Sequence, residues 1–348
     1  MNKKPVSLCV PAVAAGLLLS LTACGSDNSS PSSTSTSAAA ASSASSTAAA
    51  SSAASSGTAT AATLGQVSNS FAEDSASLIS STTGKFTQVE YQDAETGKSI
   101  TYNIFLPANY DSSKTYPMVV FIADASTVGT DPTVPLTQGI GANVWASDAF
   151  QQAYPSIVLV PSYPEVILDD NSGGHVTTDY VEATPRLIDS VSQKYSVDKN
   201  RIYGTGQSMG AMTSLLLASE HPDLYAGIIP VDGQWDISTL KGLESQNMVY
   251  FAAEDDDKAW AGMQEVMDMF KSDGVSYSYA QWDGTWTPDQ RSEAAQQLFS
   301  QGNRLNLVSW KAGTVDTSSA QNNSAHMASF AYGYRAIAAM EWLMQQSK

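Results

Sequence analysis

Five short and nearly continuous apolar runs, at 118–123, 156–161, 201–205, 226–231 and 248–253, constrain this chain more than any other feature. A strand covered on one face alternates apolar and polar residues. A run without alternation needs cover on both faces, as parallel strands between two helix layers have. Helical patterns fill the intervals at about 144–152, 180–195, 209–220 and 257–272. The alternation predicts an α/β fold built on a doubly wound, mostly parallel sheet. Residues 86–92 and 99–106 do alternate, around Ala94-Glu95-Thr96-Gly97-Lys98, and predict an antiparallel hairpin at the amino-terminal edge. Beyond Gly274 the pattern gives a strand at 275–282, a helix opened by Thr287-Pro288-Asp289, a strand at 305–311 and a closing helix at about 327–346.

Not all of the chain can join this core. No charged residue occurs from Asn28 to Ala72, and no Leu, Ile, Val, Phe, Tyr or Trp lies between Gly25 and Thr63. Such a Ser, Ala and Thr tract buries too little apolar surface to offset its chain entropy, so it is expected to be a disordered tether. All 7 Trp, 15 Tyr and 9 Phe lie beyond position 70, which suits one domain with a substantial core. The expected division is a signal segment at 1–23, a tether at 24–80 and the folded domain at 81–348.

The first segment carries an address. Met1 to Lys4 are positive, and the apolar stretch from Val10 to Leu21 is too short to span a bilayer, which together read as an export signal. It ends in Leu21-Thr22-Ala23-Cys24, which resembles the bacterial lipobox, whose Cys is diacylated and becomes the first mature residue. Cys24 is therefore expected to anchor the protein at the extracytoplasmic face of a bacterial membrane, with the tether setting the domain roughly 30 to 40 Å out as a random coil. Losing Lys3 and Lys4 with the signal takes the formal charge from −17 to −19. So acidic a surface repels phosphate backbones and anionic headgroups, so the expected partners include no nucleic acid, and the membrane only through the lipid. Cys9 and Cys24 are the only cysteines, which leaves the domain without a disulfide, a cysteine-ligated zinc or a cysteine nucleophile. No metal-ligand cluster or phosphate loop calls for a cofactor, and a monomer is expected.

Gly206-Gln207-Ser208-Met209-Gly210 matches G-x-S-x-G, and its setting gives the match weight. It follows a predicted strand and opens a predicted helix, so the turn would lift the Ser208 hydroxyl above the sheet while the two glycines keep side chains out of the crossing. A serine hydroxyl needs a base within hydrogen-bond reach, and the chain has three histidines. His326 follows the last predicted strand in a polar loop before the closing helix, and is the expected base. His221 ends the helix of Ser208, where it suits a structural cap, and His175 lies in a Gly-rich loop with substrate contact as a minor role. The orienting acid should follow a strand between Ser208 and His326. Glu254, Asp255, Asp256 and Asp257 stand there, four acids that cannot all be buried. Asp256 is favoured, with Asp255 in reserve and Asp232, after the preceding strand, third.

Residues 197–210, from Val197-Asp198-Lys199-Asn200-Arg201 into the serine motif, resemble the α/β-hydrolase group of feruloyl-esterase-like and polyhydroxybutyrate-depolymerase-like proteins, many labelled predicted peptidases. Val231-Asp232-Gly233-Gln234-Trp235-Asp236, His326-Met327-Ala328-Ser329-Phe330 and Glu341-Trp342-Leu343 are similar to bacterial lipoprotein members, and the resemblance covers about residues 85–346. It implies the α/β-hydrolase fold, a triad of Ser208, Asp256 and His326, and an oxyanion hole of two backbone N–H groups. Where such hydrolases usually read His-Gly, this chain has Ala123-Asp124-Ala125. Met209 and Ala125 can still supply the amides, but Asp124 must point away or be paired if it is not to oppose a developing oxyanion.

Trp260, Trp282, Trp286 and Trp310 lie between the expected acid and base. Large aromatics are usually core, yet this interval holds an extra helix and is expected to form a small cap over the site. The activity expected is a serine esterase on small-molecule or carbohydrate esters. A serine peptidase and a non-catalytic binding protein on the same scaffold are the rivals.

Overall fold

In a computed structural model of the protein, residues 63–171 and 174–348 are described. Cys24, the signal segment and the tether up to residue 62 lie outside the described residues. Nine strands form one sheet in the order β1-β2-β4-β3-β7-β8-β9-β11-β10, with β1 Thr87–Gln92, β2 Ser99–Phe105, β3 Tyr116–Ile122, β4 Ile157–Ser162, β7 Val197–Gln207, β8 Gly227–Val231, β9 Met248–Ala253, β10 Ser278–Trp282 and β11 Leu305–Trp310. A separate two-stranded ribbon pairs β5 Leu168–Asp169 with β6 Val176–Thr177. β1 and β2 are the expected hairpin, β2 joins β4 antiparallel, and every other pairing in the large sheet is parallel.

The unbroken apolar runs act as their composition requires. In β3, Met118, Val120 and Ile122 pack into one core layer, while Val119 and Phe121 pack into the other. One layer holds Leu187, Leu215 and Phe270 from the helices Asp179–Lys194, Met209–Glu220 and Asp257–Ser272. The opposite layer holds Trp145, Phe150, Tyr334 and Leu343. The helix Met209–Glu220 is buried along its whole length to Ala218, as a helix apolar on all sides must be.

Three expectations need correction. The interval before His326 is no cap: β11 pairs with β9 and β10 with β11, so these strands widen the sheet. Trp282 and Trp310 are buried against Phe251, with ring centroids 5.9 Å away in each case, and belong to the core. Two expected helices are broken. Ser147, extended at ψ 148°, stops one helix and caps the next by accepting from Phe150 N–H at 3.1 Å, and Ala336 separates Ala325–Tyr334 from Ile337–Leu343.

The tether ends before residue 80, the bound its composition predicts. From Thr63 onward the described chain is already fastened to the domain. Glu341, 1% exposed, accepts the backbone N–H groups of Gly65, Gln66 and Val67 at 2.6, 2.6 and 2.8 Å. Val67 and Ala72 are buried, Asn69 donates to Asp289 at 2.7 Å, and Glu73 pairs with the buried Arg291. Residues 74–82 then form a helix, Ser75–Thr82, capped by Asp74.

Hydrogen bonds to a charged acceptor are worth more than neutral ones, and a lost acceptor orphans buried donors. Glu341→Gln should therefore lower the unfolding free energy by about 2 kcal/mol in urea titration, and should open residues 63–72 to limited proteolysis at temperatures where the native chain resists.

Candidate active site

The carboxyl ends of four neighbouring strands lie level. Ile122 pairs with Gly206, Gln207 with Val231, and Val231 with Phe251. In open α/β sheets this edge is where ligands bind. Just past it stand Asp124, Ser208, Asp232 and Asp256, one from each strand.

Ser208 occupies the tight turn between β7 and its helix at φ 50°, ψ −117°, a conformation costly for a side-chain-bearing residue. Close packing holds it there. A Cβ on Gly210 would collide with the carbonyl of Ile122, and one on Gly206 would meet the same oxygen at 2.6 Å and the backbone of Gly210. Ser208 N–H donates to Val231 C=O at 3.0 Å.

The structure brings Ser208, His326 and Asp256 together. Ser208 Oγ lies 2.8 Å from His326 Nε2, and His326 Nδ1 lies 2.5 Å from Asp256 Oδ2. Asp256 is also the N-cap of Asp257–Ser272, its Oδ1 accepting from Ala259 N–H at 3.3 Å, so its other oxygen is left aimed at the imidazole. His326 sits in the first turn of Ala325–Tyr334, which Ser324 caps, with Phe330 packed edge-on at 4.9 Å. Asp255 points elsewhere, accepting from Gly313 N–H at 2.6 Å, and Glu254 binds Gln281, Ser309 and Ala312. His221 lies 3.3 Å from Glu182, and His175 packs against Trp235. Glu182, Glu220 and His221 are the one group of three metal-ligating side chains among the described residues, at the end of the helix remote from Ser208.

Asp124 is paired. Its Oδ1 accepts from Ser126 N–H at 2.9 Å and Ser126 Oγ at 2.5 Å, and its Oδ2 from Gln207 Nε2 at 2.8 Å. Ala125 and Met209 each open a helix, so their N–H groups have no partner within it, and both residues line one cavity with Ser208 and His326. That cavity has a volume of about 550 Å³. The β5–β6 ribbon forms part of its wall through Leu168 and Val176, and Val166, Met209 and Met212 complete the apolar lining. The ribbon is fastened by Asp170, which accepts from Gln234 at 2.6 Å and Lys258 at 3.2 Å. Sequence reasoning missed this wall, since two-residue strands leave no periodicity; the Val166-Ile167-Leu168 trio was its only signal.

A serine whose proton can pass to a carboxylate-oriented imidazole is equipped for nucleophilic acyl transfer. The family model described as "Putative esterase" matches residues 94–342. The chain belongs to this esterase family. It is 35% identical over 48 residues to poly(3-hydroxyalkanoate) depolymerase C of Paucimonas lemoignei, a match covering 14% of this chain and 12% of that one. The crystal structure of a thermostable esterase superposes with a TM-score of 0.61 at 25% identity, over 77% of this chain and 64% of the other. A structure of FAE has a TM-score of 0.51 at 15% identity, over 75% and 88%, and shares the fold. The chain thus spans less than two-thirds of the depolymerase and of the thermostable esterase. The architecture is that of the α/β hydrolases.

Burial presses the His326 imidazole toward its neutral form, but the hydrogen bond its Nδ1–H donates to Asp256 and the negative charges around it, that of Asp256 foremost, outweigh it and hold the pKa above the ordinary value. The neutral ring is the one that accepts a proton. Inactivation of Ser208 by a fluorophosphonate should therefore rise with pH through a midpoint above about 6.5. Asp256→Asn should bring that midpoint below the native one, while Asp255→Asn should leave it in place.

Proposed function

We propose that this chain is a serine carboxylic-ester hydrolase acting as a monomer on short-chain, aryl or carbohydrate esters, held by a lipid on Cys24 at the outer face of a bacterial membrane. The observation that carries the reading is the unbroken hydrogen-bond chain from Asp256 through His326 to Ser208 on the floor of a cavity, in a member of an esterase family.

In the first half-reaction His326 Nε2 takes the Ser208 proton as Oγ bonds to the ester carbonyl carbon. The carbonyl oxygen becomes an oxyanion facing the Met209 and Ala125 amides, whose donors are fixed before the charge develops. Asp256 keeps Nδ1 protonated and stabilises the imidazolium. The C–O bond to the alcohol then breaks, His326 hands the proton to the departing oxygen, and an acyl-enzyme remains. Water, deprotonated by the same nitrogen, then attacks the acyl carbon; the bond to Oγ breaks, His326 hands the proton back to Ser208, and the carboxylic acid leaves.

The cavity's composition supports the substrate class. Val166, Leu168, Val176 and Met212 suit a short aliphatic or aromatic acyl group, while Asn171 and Lys258 offer donors and an acceptor to a hydroxylated alcohol. An ester alkoxide also leaves more readily than an amide nitrogen, which must be protonated as it departs. The anchoring rests on the order of charged start, apolar stretch and Leu21-Thr22-Ala23-Cys24.

On p-nitrophenyl acetate and feruloyl esters, Ser208→Ala and His326→Ala should each fall to near background, because the three groups act as one unit. Cleavage of a peptide amide with both esters inert would replace this reading with a peptidase. In fractionated cells, Cys24→Ser should move active protein from the membrane to the soluble fraction, and retention in the membrane would count against the anchor.

A further inference from the structure

Asp232 takes no part in the hydrogen-bond chain of Ser208, His326 and Asp256, yet it lies directly beneath it. It is 0% exposed, at the end of β8, with φ 47°. Its Oδ1 accepts from Ala253 N–H at 2.6 Å, and Ala253 C=O in turn accepts from Asp256 N–H at 3.1 Å. The turn that presents Asp256 is therefore hung from the Asp232 side chain. Its Oδ2 is buried and receives no hydrogen bond. Beside it is Ser329, also 0% exposed, whose Oγ spends its proton on His326 C=O at 2.9 Å. A carboxylate in this place would leave one oxygen bare in the protein interior, which is among the costlier arrangements a fold can hold. A carboxylic acid would not, because its O–H can donate to the lone pairs of Ser329 Oγ.

We propose that Asp232 is a positioning residue that joins both arms of the site as an uncharged acid, fixing Asp256 through the Ala253 amide and His326 through Ser329. Its role in catalysis rests on the esterase reading, whereas its state of protonation does not.

The surroundings agree. The titratable groups facing Asp232 are Asp256 after β9, His326 and Tyr334 on the helix Ala325–Tyr334, and Tyr250 on β9; Met209 to Ser219 contribute none. Both tyrosines are pushed above their usual range, chiefly by burial, and stay neutral. Burial first, and the Asp256 charge second, outweigh the opposing pull of Ser329, the Ala253 amide and His326 and push the Asp232 carboxyl up to about 7. Folding thus retains a proton that the unfolded chain loses near pH 4. The stability this proton gives is complete below about pH 4 and is lost as pH rises toward 7.

Two experiments test the assignment on the full domain. In ¹³C-carboxyl NMR of aspartate-labelled protein, one carboxyl should titrate near neutrality and be missing from Asp232→Asn. The stability of the native protein relative to that variant should also fall between pH 5 and pH 8. A spectrum with no carboxyl titrating above pH 5.5 overturns the proposal, and needs no variant to fold.

The second experiment compares Asp232→Asn, which keeps an acceptor for Ala253 and a donor for Ser329, with Asp232→Ala, which keeps neither. On p-nitrophenyl acetate the alanine variant should lose about thirtyfold in kcat with little change in KM, and the asparagine variant should recover most of that loss. The pH profile of the asparagine variant should show one ionisation near neutrality where the native enzyme shows two coupled ones. Equal losses in both variants, or none in either, overturn the positioning role. Native protein inert on every ester, with the neutral-range carboxyl present, would sink the esterase reading and leave the protonated Asp232 standing.

Discussion

The architecture turns on one point of contact, where the carbonyl of Ile122 meets the backbone at Gly206 and Gly210 with no room for a Cβ on either. That crowding brings β3, β7 and the helix Met209–Glu220 close enough to hold Ser208 in a backbone conformation it would not choose. The strain is sustained by burial around it, since Met209 to Ala218 are all buried and the Ser208 amide is tied to β8. Once the turn is fixed, the level ends of the neighbouring strands set where an acid or an amide must arrive.

Charge around the site is arranged with equal economy. Asp124, Asp232 and Asp256 all surround His326, yet each is held by different partners. Asp124 is occupied by Ser126 and Gln207, Asp256 by His326 and the helix it caps, and Asp232 by the amide of Ala253. Three negative charges so close would repel one another strongly in a low-dielectric interior. Keeping one of them protonated relieves the repulsion while its hydrogen-bonding geometry is retained.

Most of the sheet and the three central side chains were legible in the sequence, for reasons that differ. The apolar runs at β3, β8 and β9 announce strands covered on both faces, and the glycines around Ser208 announce a crossing too tight for side chains. Position after β9 favours Asp256 as the acid, although only the fold distinguishes it from Asp255, whose carboxylate turns to Gly313. Composition misled in two places. The interval between Asp256 and His326, with its extra helix, looks like a cap, but pairing of β11 with β9 carries its strands into the sheet and leaves Trp282 and Trp310 in the core, where large aromatics usually lie. Residues 63–72 look like more tether, because what holds them is mostly backbone N–H, which every sequence has, and the acceptor lies some 275 positions away.

That separation also imposes an order on assembly. The amides of Gly65, Gln66 and Val67 are made some 275 positions ahead of Glu341, so at roughly 5 to 20 residues per second they wait about 15 to 55 s for their acceptor. Asn69 and Glu73 find partners sooner, in Asp289 and Arg291, but the three amides do not. Seating of this segment is thus a closing step, possible only after the whole sheet has been threaded, and a ribosome stalled short of residue 341 would leave an apolar flap for chaperones or proteases to read.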